Sequence, residues 1–205
     1  MLSSIKNIIF DLGGVVVDLD RARCVESFTR IGFPEADKLI DCYHPVEFFN
    51  QLERGAITVE ELCDIIRSIA GREMSNEAIC EAYSDFLVEI PLYKLRLIDS
   101  LRKRGYKLYA LSNINLAVMA KVRRLFAIDG KSMEEYFDHL YLSFEMGCLK
   151  PEPEIFEALI SHSGINPAET LFIDDSDRNI MKGSEFGLQV YLASAHEDYS
   201  HLFEE

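Results

Sequence analysis

The chain is short of basic residues: 21 Lys and Arg stand against 35 Asp and Glu in 205 residues, a formal charge of -14. Holding a nucleic acid backbone requires clustered cations, so this balance excludes nucleic acid as an expected partner. Cysteines are few and odd in number, and Cys24, Cys42, Cys63, Cys80 and Cys148 form no C-x-x-C pair. Neither a disulfide framework nor a thiolate zinc site is expected, and a reduced cytoplasm is the simplest location. The histidines His44, His139, His162, His196 and His201 lack metal-ligand spacing. No apolar run approaches the ~20 residues of a membrane span, so no membrane partner is expected. The apolar N-terminal stretch, which contains Lys6 and reaches Asp11, is too short for a signal peptide.

What is present is an alternation of short apolar runs with amphipathic helical patterns, the habit of a parallel sheet covered by helices. Strands are expected at Ile5 to Phe10, Lys107 to Leu111, His139 to Leu142, Leu171 to Ile173 and Gln189 to Leu192. Helices over Lys94 to Lys103 and Glu152 to Ser161 place Leu95, Ile98 and Leu101, and Ile155, Phe156, Leu159 and Ile160, on inner faces. Gly105 and Gly164 stop them. Between residues 18 and 91 the strand signal gives way to helices. Thr58 and Glu61 have capping-box spacing ahead of Leu62, Ile65, Ile66 and Ile69, Ser75 can cap a further helix, and Pro91 closes the segment. The expected architecture is therefore α/β: a Rossmann-like core of residues 1–17 and 92–205, with an all-helical cap of residues 18–91 inserted after the first strand.

Open parallel sheets bind ligands at the C-terminal ends of their strands, and there this sequence concentrates its chemistry. The first strand delivers Asp11, followed by Leu12-Gly13-Gly14; the second ends in Ser112-Asn113; the fourth ends in Asp174-Asp175; Lys150 lies in the Gly147-to-Pro151 loop. An aspartate can attack a phosphate monoester if nearby cations offset the charge repulsion. Asp11, Asp174 and Asp175 offer the hard oxygen ligands that suit Mg²⁺, Lys150 offers further positive charge, and the Ser112 hydroxyl suits phosphate oxygens. Each residue also has a bland reading: Ser112 as a helix cap, Lys150 as a solvated lysine, Asp18 and Asp20 as acids favouring a helix N-terminus.

The stretches FDLGGVVVD from Phe10, LYALSN from Leu108, GCLKPEPEIF from Gly147 and LFIDDSDRNI from Leu171 resemble, in order, those of the haloacid dehalogenase-like hydrolase superfamily. The resemblance implies that Asp11 is a nucleophile forming an aspartyl-phosphate and that Ser112 and Asn113 bind the substrate phosphate. It implies that Lys150 steadies both groups and that Mg²⁺ is held by Asp11, the Gly13 carbonyl, Asp174 and Asp175. The expected partner is a small phosphorylated metabolite, for a monomer or homodimer.

One family residue is absent. Gly13 stands where the family usually carries a second Asp, the general acid–base, a group typically worth about 10²–10⁴ in rate. Dehalogenase chemistry, which needs no proton, conflicts with the retained acidic metal site. Phosphonoacetaldehyde hydrolysis would require a cap lysine, and Lys38 is the only lysine between Lys6 and Lys94. Phosphatases with a DLG[NG]V motif and trailing acids, here Asp18 and Asp20, fit better, among them α-D-glucose-1-phosphate phosphatases. A sugar 1-phosphate has a hemiacetal leaving oxygen that needs less help from an acid. A phosphate- and Mg²⁺-binding module with weak turnover is the alternative from another class.

Overall fold

The computed structural model describes residues 4–40 and 46–204. Cys42 and His44 lie outside these. Five parallel strands, β1 (Asn7–Phe10), β2 (Lys107–Ser112), β3 (His139–Leu142), β4 (Thr170–Asp174) and β5 (Gln189–Leu192), form one sheet in the order β3-β2-β1-β4-β5. Ten α-helices accompany them among the described residues. Four of the five that lie between β1 and β2 in the chain form the insertion: α1 (Arg21–Arg30), α2 (Glu47–Glu53), α3 (Val59–Ala70) and α4 (Asn76–Ser84). The others are α5 (Leu92–Lys103), α6 (Leu116–Phe126), α7 (Met133–Tyr136), α8 (Ser143–Met146), α9 (Pro153–Ser163) and α10 (Asp177–Glu185).

The pleat sends alternate residues of β1 to opposite faces, and both faces are covered. Ile8 and Phe10 pack with Leu95, Ile98 and Leu101 of α5 and with Val118 and Val122 of α6, whereas Ile9 packs with Ile155, Phe156 and Leu159 of α9. Burial on both faces explains why β1 reads as a continuous apolar run instead of an alternating one.

The four inserted helices have a separate apolar core, in which Cys24, Phe28, Phe49, Leu62, Ile66 and Ile79 are buried together. Their ends follow local chemistry. The Thr58 hydroxyl accepts from the Glu61 N–H while the Glu61 carboxylate accepts from the Thr58 N–H, and Gly71 ends α3 at φ 64°. The Ser75 hydroxyl accepts from the Ala78 N–H at the start of α4. Ile69, expected on the inner face of α3, is instead 48% exposed, because Leu62, Cys63 and Ile66 carry that face. Two adjacent extended segments join insertion and sheet: the Asp18 and Asp20 N–H groups donate to the Glu89 and Phe86 carbonyls, and the Val88 N–H donates to the Asp18 carbonyl.

Topology decides where chemistry can occur. From β1 the chain builds β2 and β3 on one side and then crosses to place β4 on the other, leaving a crevice at the C-terminal ends of β1 and β4. Phe10 lies in register with Ala110 and Ile173, so Asp11 emerges level with Asp174 and one step from the end of β2.

Candidate active site

Asp11 follows β1 directly. Its N–H donates to the Ile173 carbonyl at 2.9 Å, and its Oδ1 accepts from the Leu12 N–H at 2.6 Å. Lys150, buried in the loop ahead of α9, places Nζ 2.9 Å from Asp11 Oδ1 and 2.6 Å from Asp174 Oδ2. Asp174 is fully buried, and its other oxygen accepts from the Ser176 N–H and the Asn179 amide, both at 2.9 Å. Both Asp174 oxygens are therefore engaged by other residues, whereas the Asp175 carboxylate accepts from its own backbone N–H. Oxygens from Asp11, Asp174 and Asp175 all lie within 4.8 Å of one another.

Three carboxylates share one buried ammonium, and the charge balance is strained accordingly. Burial and the adjacent Asp174 and Asp175 charges push the Asp11 carboxyl up to about 7 against the pull of Lys150. Burial and Asp174 push Asp175 up to about 6. Burial works against the Lys150 charge, but Asp11 and Asp174 outweigh it and hold the ammonium above its usual pKa. An acidic cluster of hard oxygens with too little positive charge fits a divalent cation. The backbone agrees: the Gly13–Val17 bridge uses the Leu12 carbonyl and the Gly14 N–H, leaving the Gly13 carbonyl out of the pairing. Gly14 is required for another reason. At φ 76°, a Cβ there would stand 2.1 Å from Asp175 Oδ2.

Ser112 ends β2, is buried, and lines a cavity of about 740 Å³ together with Asp11, Gly13, Lys150 and Asp175. Asn113, expected to contact substrate, uses both ends of its amide on the Lys150 main chain. Its Nδ2 donates to the Lys150 carbonyl at 2.9 Å, and its Oδ1 accepts from the Lys150 N–H at 2.8 Å. The side chain is thus a positioning group, because a donor and an acceptor facing one peptide satisfy both of its ends.

The acids after the first motif have structural roles. Asp20 caps α1 by accepting from the Ala22 and Arg23 N–H groups. Asp18 forms a buried ion pair with Lys94 at 2.8 Å, and His196 Nδ1 lies 3.1 Å from its other oxygen. The inserted helices roof the cavity with Phe49, Glu53 and Tyr83 among others, and the Tyr83 hydroxyl accepts from the Asn115 amide at 3.3 Å. Glu53 and Tyr83 escape sequence reasoning because helical periodicity does not say which face meets a site elsewhere in the chain. The nearest signal was the gap at Gly13, which says only that a carboxylate is missing.

A family model described as haloacid dehalogenase-like hydrolase matches residues 5–187. The chain is 42% identical over 188 residues to the D-ribitol-5-phosphate phosphatase of Bacteroides thetaiotaomicron, covering 91% of each chain. A crystal structure of a point mutant of a HAD family enzyme from the same organism, in complex with magnesium and inorganic phosphate, superposes with a TM-score of 0.95 at 43% identity. That match covers 98% of this chain and 100% of the other. A predicted HAD-like hydrolase from Porphyromonas gingivalis matches with a TM-score of 0.90 at 34% identity, covering 99% and 100%. With its five-stranded parallel sheet, its acidic cluster around one buried lysine and these relatives, the chain belongs to the haloacid dehalogenase-like hydrolases, as a magnesium-dependent phosphatase of that family.

Proposed function

We propose that this phosphatase hydrolyses a small sugar or polyol phosphate, with Asp11 as the nucleophile. The observation that carries this reading is the placement of Lys150 Nζ within 2.9 Å of Asp11 and 2.6 Å of Asp174, at the base of a roofed cavity. Asp11 attacks phosphorus and the alcohol oxygen departs, leaving an aspartyl-phosphate that water then hydrolyses. Lys150 offsets charge between nucleophile and phosphate, Ser112 hydrogen-bonds a non-bridging oxygen, and Asn113 fixes the Lys150 main chain. Asp11, the Gly13 carbonyl and Asp175 would hold Mg²⁺, with Asp174 supporting from behind; the ion, when bound, supplies charge neutralisation at the phosphate.

The cavity volume of about 740 Å³ suits a sugar-sized substrate. A sugar 1-phosphate was the expectation from leaving-group chemistry. The similarity to a D-ribitol-5-phosphate phosphatase supports a different member of the same class, a primary phosphate of an open-chain polyol. Its alkoxide leaves poorly without a proton, which sharpens the question posed by Gly13. We place the enzyme in a reducing cytoplasm, consistent with Cys24, Cys63, Cys80 and Cys148 being in no disulfide among the described residues, as a monomer or homodimer without nucleic acid partners. No helix among the described residues is long and apolar enough to cross a membrane.

The test is phosphate release by purified protein with Mg²⁺ from D-ribitol 5-phosphate, sugar 1-phosphates, sugar 6-phosphates and FMN, beside an Asp11→Asn control. The expected result is fastest release from the polyol or sugar phosphates and none from Asp11→Asn. Binding without release by both proteins would identify a binding module instead.

A further inference from the structure

We propose that Glu53, at the end of α2 on the roof of the cavity, is the general acid–base of this enzyme and does the work of the carboxylate that Gly13 lacks. The inference rests on the reading of Asp11 as nucleophile.

Glu53 lines the same cavity as Asp11, Ser112 and Lys150. Its position is unusually well determined for a residue on an inserted domain, because three consecutive residues are fastened to the sheet domain. The Ser143 hydroxyl donates to the Glu53 carbonyl at 2.6 Å and accepts from the Ile114 N–H at 2.9 Å, tying Glu53 beside the loop that follows Ser112. Arg54 forms a two-point ion pair with Glu152, at 2.7 and 2.5 Å, and Glu152 also accepts from the Leu149 N–H at 3.0 Å, next to Lys150. Gly55 packs so tightly that an added Cβ would stand 2.5 Å from the Phe144 carbonyl oxygen. The anchors leave the carboxylate itself uncommitted: among the described residues, no hydrogen bond or ion pair holds it.

Its surroundings suit proton transfer. Lys150 from the loop ahead of α9 and Tyr83 from α4 interact electrostatically with it, with Asp11 and Asp175 on the same cavity wall. Burial pushes the Glu53 carboxyl up to about 7, with Lys150 pulling the other way. A group poised there is available both as acid and as base at neutral pH. Of the other Asp and Glu residues described on the cavity wall outside the Asp11–Asp175 cluster, Asp18 is held by Lys94, Glu152 by Arg54, and Glu47 is exposed and accepts from the Gln51 amide.

Two balanced steps follow. Asp11 attacks phosphorus, the bond from phosphorus to the alcohol oxygen breaks, and the Glu53 carboxyl gives its proton to that oxygen, releasing neutral alcohol. The Glu53 carboxylate then takes a proton from water as the water oxygen attacks phosphorus. The bond from phosphorus to Asp11 breaks, inorganic phosphate leaves, and Glu53 is again protonated.

A general acid matters most when the leaving group is poor, which gives a test that a purely structural role cannot mimic. Glu53→Gln, loaded with Mg²⁺, is compared with wild type on phenyl phosphate and p-nitrophenyl phosphate; p-nitrophenolate departs without a proton. The expected result is a loss of about 10²–10⁴ in turnover on phenyl phosphate. On p-nitrophenyl phosphate, one rapid equivalent of p-nitrophenolate per active site should precede slow turnover, because formation of the phosphoenzyme survives and its hydrolysis does not. No loss on either ester, or an equal loss on both without a burst, overturns the proposal. If Glu53→Gln does not fold, Glu53→Asp takes its place with the same readouts. The Asp11→Asn control separates the two ideas: turnover by Asp11→Asn removes the nucleophile reading, while inactive Asp11→Asn beside unimpaired Glu53→Gln removes only the role of Glu53.

Discussion

Gly13 and Gly14 are neighbours in sequence with opposite reasons for lacking a side chain. A Cβ on Gly13 would meet only the Leu19 side chain, at an ordinary 3.4 Å. A Cβ on Gly14 would sit 2.1 Å from Asp175 Oδ2, on a backbone at φ 76° that costs an L-residue roughly 1–2 kcal/mol. Gly14 is thus a condition for bringing Asp175 against the first-strand loop, whereas nothing in the backbone forbids a side chain at position 13. Occupied at about 100 times its Kd, Mg²⁺ stabilises the folded state by about 2.7 kcal/mol. Thermal unfolding with Mg²⁺ and with EDTA should therefore separate by several degrees in wild type and in Gly13→Ala. In Gly14→Ala, whose displaced Asp175 no longer completes the cluster, the two curves should coincide.

At the scale of elements, the pair Asp18–Lys94 joins the segment leaving β1 to the first turn of α5, and both side chains are buried. Burying a charge is costly, and each partner makes the other tolerable. Burial alone would raise the Asp18 carboxyl; hydrogen bonds and charge from Lys94 and His196 outweigh it and hold the group below its ordinary 3.8. A depressed folded-state pKa contributes stability that is complete above the unfolded value, about 4, and is lost as pH falls through the folded value. Urea unfolding of wild type and Asp18→Asn should show a gap that is constant from neutral pH to about 4 and closes below it. A gap unchanged in acid would show that the pair does not set it. The sequence offered Asp18 as an acid trailing the first motif; its buried partner is 76 residues away.

At the scale of the whole molecule, the seating of the inserted helices on the sheet domain governs access to the site. Arg54–Glu152, Lys121–Asp85 at 2.9 Å and the close approach of Gly55 to Phe144 hold the two together. The Arg54–Glu152 side chains are 36% and 35% exposed, so solvent screening limits the pair to about 1 kcal/mol or less in stability. Its effect on catalysis is geometric, since a displacement of the roof moves every group on it relative to the phosphate. Arg54→Ala should shift the unfolding midpoint little while raising KM severalfold. Gly55→Ala, which drives a Cβ into a backbone oxygen, should lower kcat/KM further. Equal kinetics in all three proteins would mean that the roof closes without these contacts.

The five strands, the Thr58 and Ser75 caps and the Asp11, Ser112, Lys150 and Asp174-Asp175 motifs were legible in the sequence because they are local. Apolar period, capping chemistry and the residue at a strand end are all set by neighbours a few positions away. The same reading left Asn113, Asp18 and the roof of the cavity misassigned or open. Asn113 faces the Lys150 main chain across 37 residues, and Ser143 fastens Glu53 across 90. Such contacts depend on how a helical insertion with its own apolar core docks on a sheet, and periodicity reports only that each face is buried. By itself the sequence determined a parallel α/β hydrolase with an acidic metal site and a missing acid at Gly13. Only the tertiary structure decided which carboxylate stands over that site, because packing between two apolar cores carries Glu53 there.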